Sequence, residues 1–170
     1  VEELVLVDNQ DREIGFCDKL EAHKRGLLHR AISVMLLDDK RRFLLQRRAA
    51  VKYHSPLLWA NSCCSHPGPG ESVERAAHRR IQEELGIRCQ LWFCSSFIYR
   101  AEVSNDLIEH EFDHLFLGTY TGPIYPNPLE VDKATWWTQE EIEEGLLKTP
   151  EIFCPWFSLV YKELLKCLSQ

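Results

Sequence analysis

The sequence predicts an α+β sandwich, a mixed sheet flanked by helices, with a β-hairpin at its N-terminus. Three observations predict it. Two short runs rich in β-branched and aromatic residues, "ELVLVD" and "REIGFC", open the chain around a polar turn. Residues 72–85 contain no Gly or Pro and carry apolar side chains at 73, 76, 77, 81 and 85, a helical spacing. Strands come first and again in the middle, with helices between and after them, an order that favours layers over a regular βαβ alternation.

The elements follow in turn. Residues 3–8 and 12–17 pair across Asn9-Gln10-Asp11, and residues 28–38 and 41–49 form a second pair across Asp39-Lys40. The helix over 72–85 stops at Gly86, a residue free to turn left-handed. "LWFCSSFIYRAEV" and "LIEHEFDHLFLGTY" form a long antiparallel pair joined near Ser104-Asn105-Asp106. "ATWW" begins one more extended segment, and helices follow over 139–148 and roughly 155–168. No repeat, low-complexity tract or linker interrupts the 170 residues, so one domain, 1–170, is expected.

A content of 45% hydrophobic and 11% aromatic residues is enough for a sizeable core. The net charge of −6 argues against a nucleic-acid partner, which needs a basic surface, but leaves room for a small anionic ligand. No apolar run reaches membrane-helix length and no secretory signal is visible, so no membrane partner is expected. The seven cysteines are odd in number, irregularly spaced and form no C-x-x-C pair. They read as free thiols of a reducing cytoplasm, not as a disulfide framework or a zinc ribbon.

Three stretches carry candidate chemistry. "NSCCSHP" sets two adjacent thiols beside an imidazole; in extended backbone Cys63 and Cys64 point to opposite sides, so only one of them can face a pocket. In "LIEHEFDHLFLG" the alternation puts Glu109, Glu111 and Asp113 on one face, and His110, Phe112 and His114 on the other. The two glutamates start about 6.6–7 Å apart, which suits two ligands converging on one metal. "RRAAVK" places Arg48 and Lys52 four apart, able to bracket one anion.

From Ser65 to Ile87 the chain reads S-x5-E-x7-R-R-I-x-E-E-L-G-I. This resembles the Nudix box, G-x5-E-x7-R-E-U-x-E-E-x-G-U, with U a bulky aliphatic; Glu71, Arg79, Glu83, Glu84 and Gly86 fall in register. Ser65 replaces the first Gly. Arg80 replaces a principal metal-binding Glu, so that helix face loses metal affinity and gains a bidentate phosphate donor. Hydrolysis of a diphosphate needs clustered metals to activate water, so Arg80 argues against an ordinary Nudix hydrolase.

"GLLHRAISV", "NSCCSHP", "IYRAE", "LIEHE" and "CPWF", taken in order, resemble the type I isopentenyl-diphosphate isomerases of that superfamily, over most of the chain. The resemblance implies a Nudix-type α/β/α sandwich. It implies an isomerase that moves a double bond between isopentenyl and dimethylallyl diphosphate for isoprenoid biosynthesis. It selects Cys64 and Glu111 as acid–base pair, with Tyr99 tuning Glu111 and Trp156 facing the cationic centre. It implies a metal site of His23, His29, His66, Glu109 and Glu111, holding Mn²⁺, Zn²⁺ or Mg²⁺. A separate Mg²⁺ would be held by Glu84, the Cys64 carbonyl and the substrate diphosphate, with Arg48, Lys52 and Arg80 as diphosphate-binding cations. His23 and His29, six apart, belong to different elements. Cys63, Trp59, Trp92, Trp136 and Trp137 are assigned to packing, and His110 and His114 to structure or surface. Two other readings are weighed: a Nudix pyrophosphohydrolase on a nucleoside diphosphate derivative, and a non-catalytic diphosphate-binding module.

Overall fold

The computed structural model describes residues 2–170. Among them the elements run β1 (Glu3–Val7), β2 (Glu13–Asp18), α1 (Lys19–Arg25), β3 (His29–Leu37), β4 (Phe43–Arg48), β5 (Trp59–Ala60), β6 (Cys63–Ser65) and α2 (Val73–Leu85). They continue through β7 (Leu91–Val103), β8 (Leu107–Thr119), β9 (Val131–Trp137), α3 (Gln139–Lys148), a 3-10 turn (Pro150–Ile152) and α4 (Phe157–Leu168). None of these helices is long and apolar enough to cross a membrane.

Strand β3 organises the sheet. One edge runs parallel to β8, from His29 opposite Glu111 to Leu37 opposite Thr119. The other edge takes β1 at His29 and β6 at residues 32–34, both antiparallel. β7 pairs with β8 along the length of both strands, and β1 with β2 as the expected N-terminal hairpin. The second expected hairpin is only a corner: β3 and β4 share the single pair Leu37–Phe43, after which β4 pairs with β5 and β9. Both edges of β3 are already occupied, so β4 turns away and carries β5 and β9 at the far side of the same sheet. β9 begins at Val131, three residues before the "ATWW" expected to open it.

Alternation on β3 divides the core in two. Ile32, Val34 and Leu36 pack beneath Ala76, Ala77, Ile81 and Leu85 of α2. Met35 and Leu37 pack beneath Phe157, Val160, Tyr161 and Leu164 of α4. Each fully buried Leu or Ile contributes about 1.5–3 kcal/mol, so these stripes hold both helix layers to the sheet. The Ser72 hydroxyl accepts the Arg75 N–H to start α2. Gly86 ends it at φ +66°, where a Cβ would also come 3.0 Å from Tyr125. α1, which carries His23, is capped by Asp18 at its start and by Gly26, also at φ +66°, at its end.

Two packing expectations are corrected. Cys94 on β7 and Cys167 on α4 are bonded as a disulfide, not free. Their 73-residue separation hides a proximity that only the packing of α4 on β7 creates. Trp92 stands half-exposed on β7 instead of in the core. Cys63, by contrast, is fully buried beneath α2 as expected.

Candidate active site

Four elements deliver imidazoles and carboxylates to one buried point. α1 supplies His23, the start of β3 His29, the segment after β6 His66, and the inward face of β8 Glu109 and Glu111. The ligand atoms of His23, His29, His66 and Glu109 all lie within 4.8 Å of one another. Glu111 borders this group, its Oε2 lying 3.1 Å from His66 Nε2 and 3.4 Å from His29 Nε2.

The tautomers follow from the second ring nitrogen. His23 Nδ1 lies 2.7 Å from the Lys19 carbonyl and His29 Nδ1 2.9 Å from the Leu27 carbonyl. A carbonyl only accepts, so both rings are protonated at Nδ1 and turn Nε2 inward. His29 Nε2 and Glu109 Oε2 are buried without a hydrogen-bond partner. Orphaned donors of mixed nitrogen and oxygen type, converging in a buried pocket, fit a divalent cation.

The charges are strongly perturbed. Burial works against the Glu109 carboxylate, but hydrogen bonds from His23 and His54 outweigh it and hold its pKa well below the ordinary value. Burial and then the Glu109 charge push Glu111 up to about 7. Burial pulls the His23 pKa down, yet the Glu109 contact more than offsets it, so His23 gains protons more readily than a free imidazole. Burial, then the neighbouring His29, hold His66 well below normal and keep it neutral. The Tyr99 hydroxyl donates to Glu111 Oε1; burial, then the Glu111 charge, raise its own pKa well above normal, so it stays a donor.

A narrow cleft, about 20 Å³, opens over this cluster. Cys64, Tyr99, Glu111 and Trp156 line it, together with the cations Lys19, Arg48, Lys52 and Arg80. A larger hollow of about 560 Å³ beside Phe43, Thr138 and Leu168 contains no acid–base cluster. Cys64 points toward α4, opposite to Cys63, and its thiol donates to Asn61 Oδ1 at 3.0 Å. Burial raises that thiol well above its usual range, against a lowering contact with Trp156.

Residues 27–157 match the NUDIX domain family. The chain is 45% identical over 168 residues to an isopentenyl-diphosphate Delta-isomerase 2 of Aromatoleum aromaticum, covering 99% of this chain and 89% of that protein. It is 46% identical over 163 residues to the isopentenyl-diphosphate Delta-isomerase of Serratia proteamaculans, covering 96% and 91%. The chain belongs to the isopentenyl-diphosphate isomerase family of the NUDIX superfamily. Its fold resembles the crystal structure of DR0079 from Deinococcus radiodurans, with a TM-score of 0.76 and 19% identity over 95% of this chain and 98% of that one.

In this isomerase-family chain the NUDIX box is tied together by arginine–carboxylate pairs. Arg79 clasps Glu71 with two bonds of 2.7 and 2.8 Å and also reaches Glu83 at 3.2 Å. Glu71 Oε1 accepts the Gly68 N–H at 3.0 Å, which fixes the loop that follows His66. Arg80 bridges Glu83, Glu84 and Glu130 at 2.6, 2.8 and 3.4 Å while lining the cleft. Glu84 accepts from Arg80 and from Gln46 and is not one of the four converging ligands. Lys52 pairs with Glu130 at 2.6 Å. Arg48 donates to the His54 carbonyl and its guanidinium stands 5.4 Å from the Trp156 ring centre.

The sequence reading missed Lys19, Tyr53, His54 and Glu130. Lys19 was discoverable: it stands four residues before His23, on the same face of α1. His54 sits in an irregular loop, where no periodicity marks the direction of a side chain. His110 and His114 face away, toward the Gly26 carbonyl and Asp11.

Proposed function

We propose that the chain interconverts isopentenyl diphosphate and dimethylallyl diphosphate. The observation that carries this reading is the pairing of a thiol kept protonated by burial with a carboxyl raised to about 7, in one cleft edged by four cations. Moving the double bond requires a proton added at one carbon and another removed two carbons away. One protein group gives and the other takes, so Cys64 and Glu111 exchange protonation states in each turnover and swap roles in reverse. Glu111, with a pKa of about 7, is poised to do either near neutral pH. Tyr99 supports its ionised form by donating to Oε1.

Arg48, Lys52, Arg80 and Lys19 would anchor the diphosphate, the guanidiniums as two-pronged donors. Trp156 is almost fully buried in the cleft wall. Its ring face stabilises cationic character at the tertiary carbon, and its bulk excludes water that would trap the cation. Divalent cations held by His23, His29, His66, Glu109 and Glu111, and a Mg²⁺ at Glu84 with the Cys64 carbonyl and the substrate diphosphate, would supply the charge that organises the acid and the anion. The Arg80–Glu84 pair supports this over diphosphate hydrolysis, since it places a cation where the box hydrolases carry a carboxylate.

The test is NMR of isopentenyl diphosphate with the protein and Mg²⁺ in D₂O. Dimethylallyl diphosphate carrying deuterium is expected. Phosphate release, or binding without exchange, would overturn the reading.

A further inference from the structure

One imidazole at the site plays no part in the roles above. His54 is buried on the loop between β4 and β5, and its Nε2 lies 2.6 Å from Glu109 Oε1. It is not one of the four residues whose ligand atoms converge. A carboxylate oxygen accepts, so His54 Nε2 carries the proton. Its Nδ1 lies 3.1 Å from Ser55 Oγ, and a hydroxyl, unlike a carbonyl, can donate to it. His54 is therefore the reverse of His29, whose Nδ1 faces a carbonyl and whose Nε2 has no hydrogen-bond partner. His23, also held at Nδ1 by a carbonyl, lies with its Nε2 3.0 Å from the same Glu109 Oε1.

The surrounding backbone is built to keep this ring in place. Arg48 donates Nε and Nη2 to the His54 carbonyl at 3.3 and 3.1 Å. The Ser55 N–H donates to Ser104 Oγ at 2.7 Å, and Asn105 donates to the Tyr53 carbonyl at 3.1 Å, tying the loop to the β7–β8 turn. Ser55 and Leu57 adopt φ of +50° and +59°, left-handed backbone that side chains disfavour and that persists only where the surroundings impose it. Trp156 meets the His54 ring edge-to-face at 5.6 Å.

We propose that His54 is a positioning residue: it holds Glu109 by Oε1, so that the unpartnered Oε2 is presented to the cation bound by His23, His29 and His66. The proposal rests on the metal-centre reading above. Removing such a supporting hydrogen bond is expected to weaken cation binding by about 10–100-fold.

Mn²⁺ affinity of the intact chain, read by electron paramagnetic resonance, tests it on wild type, His54→Ala, His54→Gln and Glu109→Gln. Melting curves confirm that each variant is folded. His54→Ala is expected to bind 10–100-fold more weakly, and His54→Gln, whose amide still donates, to recover most of the loss. Equal affinity in His54→Ala and wild type, with binding lost in Glu109→Gln, would overturn the role of His54. So would a His54→Gln variant as weak as His54→Ala, since that would mark a packing role. Equal affinity in wild type and Glu109→Gln would overturn the metal centre itself.

Discussion

Helix α2 and strand β8 both present glutamates, but they use them differently. On α2, Arg79 holds Glu83 and also Glu71 just before the helix, and Arg80 holds Glu84, in a partly exposed lattice of ion pairs. On β8, Glu109 and Glu111 are buried among imidazoles, and one is pulled toward ionisation while the other is pushed toward protonation. A carboxylate matched by arginine is fixed in position by two-pronged contacts. A carboxylate matched by imidazoles and a phenol can change state and serve chemistry. The motif that identifies the superfamily is thus not the place where the chemistry is most poised.

The largest expected effect lies on the strand side. Glu111→Gln or Cys64→Ala should lower kcat by about 10³-fold, the scale of a lost general acid or base, while the fold survives. Isomerisation assays with melting curves check this, and near-normal turnover in either variant would remove that residue from the acid–base pair. On the helix side, Arg79→Ala should cost about 1–3 kcal/mol of stability, through lost charged hydrogen bonds, and leave far more activity than Glu111→Gln. Denaturant melts alongside kinetics would show whether the lattice is only architectural. A loss of turnover equal to that of Glu111→Gln, at unchanged stability, would erase the contrast.

Two smaller effects follow from protonation. His23 holds its proton above its ordinary value of 6.5, so protons compete with a cation for Nε2. Mn²⁺ affinity should therefore rise as pH climbs through and beyond that value, with proton release visible as buffer-dependent binding heat. In metal-free protein the raised Glu111 contributes stability that is complete below 4.5 and lost as pH rises through about 7. Glu111→Gln should flatten that decline in chemical melts. The smallest effect is expected at Cys63, beneath α2: Cys63→Ala should cost about 1 kcal/mol and leave turnover near that of wild type.

Much of this contrast was legible in the sequence. The alternation along β8 fixed which residues face inward, because a half-buried strand has period two, and Glu109 and Glu111 point as expected. The same rule separated Cys63 from Cys64. The helix over 72–85 announced itself by spacing, cap and glycine stop. His54 and Glu130 were not legible, because irregular backbone sets their directions by tertiary contacts and not by period. The β3–β4 corner was hidden for a related reason: two adjacent strand-like runs look like a hairpin until other strands claim the edges of the first.

The Cys94–Cys167 bond gives the site an uneven covalent topology. Tyr99, Glu109, Glu111 and Trp156 all lie on the ring of chain it closes, whereas His23, His29, Cys64 and His66 lie on the open stretch before it. A single backbone cut within the ring leaves its pieces tethered, so a nicked molecule still migrates as one species until a reductant is added. A cut before Cys94 releases a free fragment at once upon unfolding. The proton-handling carboxyl and its phenol are thus sewn into the molecule, while the thiol that partners them rides on an untethered arm.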